Sequence, residues 1–491
     1  MQHRYTSFRV LASGLIGARA GVVHYPISTT VPSTAASLDT TPVGVSFEFD
    51  LWPTYRLNLS QVWGCTDHVT ALYGTKMPIR IGGTTQDRSA YDANYDGYIY
   101  PDPASPELER IYGPKFFDLI SGYGGETTLG FNRGDNDIAN SLEAALAAKS
   151  AASDYLYAIE LGNEPDLYYL VWNKPVATPP WNMSQEGENQ AEWSQVFLDS
   201  LGSSEPILLA GNYAVPIELF EGHPNTDYLL NAAFNSSVKA GVKAYCTHSY
   251  ALSGEDAILP DEMKHSKTVA DMTAFAGKIA TAKSANRPYI IGEAGFHGLE
   301  TTQDATFGGA IQIVDKTLQA LSMGIQRIYY HQGGVGESQS SFNWWRLDGV
   351  AAPFYGGYFA SLAVAGGEQI IASDTGGDAY AQYVVYKQGL PSKVVLINTD
   401  YYSGDGERNA TVFNLSGLPC STVKVLRMTA ASSEVTVEDS LPTIGGQTFS
   451  NGECTIMGDQ VFETLKTLNS SAEITLMASE AAIAYIEYDF A

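Results

Sequence analysis

Two glutamates stand out by position. Glu164 follows the apolar run of AIELGNEPD, and Glu293 follows that of PYIIGEAG, so each sits at the end of a β-rich segment. Two carboxyls facing one cavity are what hydrolysis of a glycosidic bond requires. One must be protonated to donate to the leaving oxygen, while the other must be ionised to attack the anomeric carbon. Mutual repulsion and partial burial separate the pKa values of such a pair. A lone glutamate reads as a solvated loop residue or half of a salt bridge, but two at matched strand ends do not. The ends of neighbouring runs carry further polar groups: Glu48 in SFEF, Arg80 before Gly82-Gly83-Thr84, Asn163, and His248 and Tyr250 in THSY. The stretch His331-Gln332-Gly333-Gly334-Val335-Gly336 has the composition of an anion-binding concavity made from successive backbone N–H groups, or of a plain turn. No His/Asp/Glu cluster has metal-ligand spacing, so neither a metal nor an organic cofactor is implied.

Eight runs can carry these residues as strands: VGVSFEF, PIRIGG, TTLGFN, YLYAIEL, ILLAGN, VKAYCTHSY, PYIIGE and IQRIYYHQ. Helical stretches such as IANSLEAALAAKSA and ENQAEWSQVFLDSL lie between them. This alternation predicts an α/β fold, a (β/α)8 TIM barrel over residues 42–365. Glu164 then follows strand four and Glu293 ends strand seven, near enough to share the barrel mouth. A doubly wound sheet is disfavoured, since no glycine fingerprint follows the first strand. From about residue 366 the pattern changes to alternating segments such as AYAQYVVYKQ and SKVVLINTD, which predicts a C-terminal antiparallel β-sandwich over 366–491. Residues 21–41 are expected to add to that sandwich.

The 491 residues include 28 Lys plus Arg against 54 Asp plus Glu, a formal charge of −26. So acidic a body repels phosphate backbones and sulfated polyanions, which excludes nucleic acid as a natural partner. No apolar run is long enough to span a membrane. Residues 1–20 carry Arg4 and Arg9, a short apolar run and Ala18-Arg19-Ala20, the pattern of a signal peptide. Six glycosylation sequons begin at Asn58, Asn182, Asn235, Asn409, Asn414 and Asn469, in keeping with a secreted, extracellular chain. Of the four cysteines, Cys420 and Cys454 lie in one late segment and could pair or stay free, a choice the sequence leaves open, and Cys246 reads as a buried thiol.

The set SFEF, RIGGTTQDR, ELGNEPD, THSY, IGEAG, YYHQGG and VAAPFYGGYFA resembles glycoside hydrolase family 79, the β-glucuronidase and heparanase family, over roughly residues 42–365. The resemblance implies a retaining glycosidase, most simply an exo-acting β-glucuronidase on extracellular glycans, with Glu164 as general acid/base and Glu293 as nucleophile. It implies that Asn163 bonds the sugar 2-hydroxyl, that Tyr250 or His248 orients Glu293, and that Glu48 binds sugar hydroxyls. Within the same reading His331, Gln332, Gly333, Gly334 and Gly336 form the carboxylate site. The sequence departs from the family in having Val335 where a tyrosine hydroxyl often helps, although Tyr329 and Tyr330 precede it, and in having Thr84 where Asn is common. Two alternatives stay open: a retaining β-glycosidase of the same clan acting on neutral sugars, and a non-catalytic carbohydrate-binding protein.

Overall fold

The computed structural model describes residues 21–100, 110–251, 257–297 and 302–488. The expected signal peptide lies outside the described residues. Eight parallel strands close into a barrel: β1 (Val43–Glu48), β2 (Ile79–Gly82), β3 (Thr127–Phe131), β4 (Leu156–Leu161), β5 (Leu208–Tyr213), β6 (Val242–Ala251), β7 (Tyr289–His297) and β8 (Arg327–Gln332). Strand β8 returns to pair with β1, from Ile328 opposite Val43 to Gln332 opposite Phe47.

Side chains that point inward fill the barrel in layers, as the geometry of a closed sheet demands. The lower layer is apolar and comprises Ala158, Leu209, Ala244, Cys246, Ile290 and Tyr329. Above it the filling turns ionic, because Arg80 and Glu160 are both fully buried and paired. Cys246 is buried there as a free thiol, as its apolar run suggested. On β7 four residues, Ile291 to Ala294, span what Ile328 to Tyr330 of β8 and Thr247 to Ser249 of β6 span with three. This β-bulge breaks the alternation and re-aims the side chain of Glu293.

Around the barrel run α1 (Ser60–Tyr73), α2 (His265–Thr273) and α3 (Phe307–Ser322), among others. Helix α3 is buried on nearly every side, because the C-terminal sheets cover its outer face. The larger sheet runs through β9 (Gln369–Ala372), β10 (Tyr380–Lys387), β11 (Leu390–Asn398), β15 (Glu480–Ile486) and β13 (Thr422–Thr429). One face, with Tyr383, Val385, Val395, Ile397 and Ile483, joins the barrel core. The other face, with Val384, Val394, Leu396, Ala482 and Ala484, packs on the smaller sheet of Gly21–Pro26, β12 (Ala410–Ser416) and β14 (Ser471–Met477). A sheet buried on both faces reads as a continuous apolar run, which is what β10 and β11 show. Gly21–Pro26 pairs with β12 in parallel, while the other sandwich pairings are antiparallel.

The Cys420–Cys454 pairing that the sequence left open does not form: Cys454 is bonded to Cys65 on α1, 389 residues away in sequence. Nearness in the chain does not decide the pairing, since the turn holding Cys454 leans onto the barrel while Cys420 lies buried in the sandwich core. A structural disulfide fits an oxidising compartment. Among the described residues, no helix is long and apolar enough to cross a membrane. Of the sequon asparagines, Asn58, Asn235, Asn409 and Asn469 are exposed.

Candidate active site

Glu293 projects from the β7 bulge into the mouth, where three elements hold its carboxylate. Arg80 of β2 donates to Oε2 at 2.7 Å, the Tyr250 hydroxyl of β6 donates to Oε1 at 2.7 Å, and His331 Nδ1 of β8 lies 3.6 Å from Oε2. Burial alone would raise the Glu293 pKa. The charges of His331, His248 and Arg80 and the Tyr250 hydrogen bond outweigh burial and hold it well below the usual carboxylate range. Glu293 is therefore kept ionised, the state a nucleophile needs.

Glu164 stands three residues past β4, in a left-handed backbone conformation with φ 50°. Its amide donates to the carbonyl of Asn212 at the end of β5, itself left-handed at φ 57°. Two non-glycine residues of this kind joined by one hydrogen bond mark a turn held open by its surroundings. The Glu164 carboxylate meets His248 Nδ1 at 3.1 Å. One ligand atom each from Glu164, His248 and Glu293 lies within 4.8 Å of the others, so the two carboxylates share one small space.

Arg80 organises this centre. Its five N–H groups go to Glu160 twice, to Glu293, to Ser46 and to Asn163 Oδ1, at 2.6–2.9 Å. That is the full donor capacity of a guanidinium. Because Arg80 fixes Oδ1 of Asn163, the amide Nδ2 is turned to the other side, free to donate to a sugar hydroxyl. Asp87 ties the loops together by accepting from the amides of Arg133, Gly134 and Asn163 and from the Tyr168 hydroxyl. Glu48 lies at the β1 edge of the mouth, with Oε1 taking the amide and hydroxyl of Thr85 and Oε2 facing His331 Nε2 at 3.1 Å. Burial would lower the His331 pKa, but Glu293 and Glu48 raise it above the ordinary value.

The expected residues thus fall into two groups. Glu48, Asn163, Glu164, His248, Tyr250, Glu293 and His331 come together at the mouth. The choice left open between Tyr250 and His248 is resolved by geometry, Tyr250 serving Glu293 and His248 serving Glu164. The glycine tract behaves otherwise. Gln332 is fully buried, its Oε1 accepting from the Trp344 amide and its Nε2 donating to the carbonyls of Tyr330 and His331. The amides of Gly333 and Gly334 are taken by Asn343 Oδ1 at 2.7 Å and Ser340 Oγ at 3.0 Å. These residues brace the loop after β8 and do not offer an anion nest, which leaves only Val335 and Gly336 of that tract. Tyr329 and Tyr330 are buried and turned to Arg327 and Thr317, so neither supplies the missing hydroxyl. Sequence reasoning missed Phe342, whose ring lies 6.2 Å from Tyr250 and 5.8 Å from His331, beside the two residues that flank Glu293. It lies in an irregular loop, where no periodicity marks it.

Residues 382–483 match the glycosyl hydrolase family 79 C-terminal beta domain. The structure is similar to that of a 4-O-α-L-rhamnosyl-β-D-glucuronidase from Fusarium oxysporum, with TM-score 0.88 and 34% identity, over 94% of this chain and all of that one. The chain belongs to glycoside hydrolase family 79. Two β-glucuronidases are also similar at 28% identity. The match to the Aspergillus niger protein covers 80% of this chain and 81% of that one. The match to the Neurospora crassa protein covers 64% of this chain and 61% of that one, less than two thirds of its length. A family 51 α-L-arabinofuranosidase from Bifidobacterium longum, at TM-score 0.62 and 14% identity, shares the fold alone. The family 79 chain is therefore a glycoside hydrolase.

Proposed function

We propose that this chain is a retaining, exo-acting β-glucuronidase in which Glu164 is the general acid/base and Glu293 the nucleophile. The observation that carries the reading is the meeting of the two carboxylates, with oxygens within 4.8 Å. Retaining glycosidases hold the pair about 5–5.5 Å apart, whereas inverting enzymes leave a water's width more. Glu293, held ionised by Arg80, Tyr250 and His331, attacks the anomeric carbon while Glu164 protonates the leaving oxygen. The covalent glycosyl-enzyme is then opened by water that Glu164 deprotonates. Asn163 donates to the 2-hydroxyl, a contact that strengthens as charge develops. The names of three relatives support a glucuronide, and the Cys65–Cys454 bridge supports a secreted enzyme.

The test is hydrolysis of paired chromogenic β-glucuronide and β-glucoside, with Glu164→Gln and Glu293→Gln as controls. Preference for the glucuronide, lost with both substitutions, supports the reading. Equal or higher rates on the glucoside favour a neutral-sugar enzyme, and sugar binding without turnover favours a non-catalytic protein. The Fusarium relative favours a second form, in which the glucuronate carries a rhamnosyl group at O4. Intact disaccharide released from such a substrate would identify it.

A further inference from the structure

We infer that Lys316 of α3 is a positioning residue, which ties the ends of β6 and β7 together so that Tyr250 meets Glu293. The inference rests on Glu293 being the nucleophile, as read above. Lys316 donates to the Gly295 carbonyl at 2.7 Å and to the Ser249 carbonyl at 3.3 Å. Gly295 lies two residues past Glu293 and packs against the Tyr250 ring. The Ser249 carbonyl belongs to the same planar peptide as the Tyr250 amide, so holding that oxygen also orients the Tyr250 backbone.

The two strands need such a tie because their ladder is irregular where the chemistry sits. Seven residues of β7, Ile291 to His297, run beside five of β6, Thr247 to Ala251, through two successive register shifts. Each shift leaves a residue outside the regular pairing and lets the strand bend. Glu293 lies within the first and Gly295 within the second.

Lys316 is itself well fixed. Its neighbours Asp315 and Thr317 bond His265 and the Tyr330 hydroxyl, at 2.9 and 2.8 Å, and α3 is buried on nearly every side. The ammonium is buried too, and among the described residues no carboxylate pairs with it, only the two carbonyls. Burial pushes its pKa down to about 8. A charge buried on carbonyl oxygens alone is costly, a departure from ordinary core chemistry that is expected where function requires it. Methionine would fill much the same volume without that cost, so packing alone does not call for a lysine.

The experiment measures kcat and KM for 4-nitrophenyl β-glucuronide in wild type, Lys316→Met and Lys316→Arg, after thermal unfolding establishes which variants fold. In Lys316→Met, kcat is expected to fall about 10–100-fold with KM within about threefold, the effect of a nucleophile misplaced by about 1 Å. Lys316→Arg, which keeps donors for both carbonyls, should recover part of the loss. The substitution is then repeated in Glu293→Gly, where azide attacks the anomeric carbon in place of the carboxylate. With 2,4-dinitrophenyl β-glucuronide and azide, adding Lys316→Met should cost less than about threefold, since no carboxylate remains to be placed. An unchanged kcat in folded Lys316→Met, or an equal loss in the azide-rescued background, overturns the inference and leaves the glucuronidase reading intact. If Lys316→Met does not fold, Lys316→Gln, too short to reach both carbonyls, takes its place in both comparisons. Failure of azide to restore activity to Glu293→Gly removes the nucleophile assignment and this inference with it.

Discussion

Replacing Tyr250 with Phe removes one oxygen atom and separates the two ways in which Glu293 is held. In the structure Oε2 keeps Arg80 at 2.7 Å and His331 at 3.6 Å, while Oε1 has the Tyr250 hydroxyl at 2.7 Å. The ring itself packs against Gly295, where any Cβ would lie 2.5 Å from it, so Phe should keep its place. The loss is one hydrogen bond to a charged, buried acceptor, about 1.5–3 kcal/mol. That corresponds to about 10–150-fold in rate if it is felt fully at the transition state. The step that feels it most is the second one, because there Glu293 departs as a carboxylate, and without Tyr250 it is a poorer leaving group. With an activated aryl glycoside the covalent intermediate should accumulate. We expect kcat to fall more than kcat/KM, KM to fall with it, and stopped-flow traces to show a burst of released phenol equal to the enzyme. Unchanged kcat within threefold, or a raised KM at constant kcat, would refute the argument that Tyr250 stabilises the departing carboxylate.

The remaining predictions concern stability. His265 of α2 is buried between Asp315 of α3 and Asp374 of the loop between β9 and β10, at 2.9 and 3.0 Å, and Asp315 also accepts from Tyr383. Burial lowers its pKa, but the two carboxylates overcome this and push it up to about 10. A raised folded-state pKa stabilises fully below the unfolded value of about 6.5 and is lost as pH rises through about 10. The wild type should therefore lose Tm steadily from pH 7 to 10, while His265→Gln should start lower, by about 3–5 kcal/mol, and show a flatter profile. Parallel profiles would argue against a charged His265. Removing the Cys65–Cys454 bridge in a Cys65→Ser, Cys454→Ser variant should cost about 2–4 kcal/mol. It should also abolish the drop in Tm that a thiol reductant causes in the wild type, as differential scanning calorimetry would show.

Much of this architecture was legible in the sequence, for a physical reason. Barrel strands buried on both faces leave short apolar runs, and polar residues that interrupt their ends have little to do but line the mouth. Glu164, Glu293, Asn163, His248 and Tyr250 were accessible to that logic. Contacts between distant segments were not. Cys65 and Cys454 meet only because the sandwich folds back onto α1. The reading of Gly333 and Gly334 failed because composition shows that amides are present, not that Asn343 and Ser340 already occupy them. Gln332 failed similarly, since its side chain turns back to the Trp344 amide. In the sequence Arg80 is one polar group among several at the strand ends, and only the structure reveals that one guanidinium serves Glu293, Glu160 and Asn163 together.

The account turns on double displacement by Glu164 and Glu293. The direct measurement is the anomeric configuration of the first product, followed by proton NMR during rapid hydrolysis of a β-glucuronide. The account predicts that β-glucuronic acid appears first and mutarotates later. Initial release of the α-anomer would contradict it and require a water between the two carboxylates.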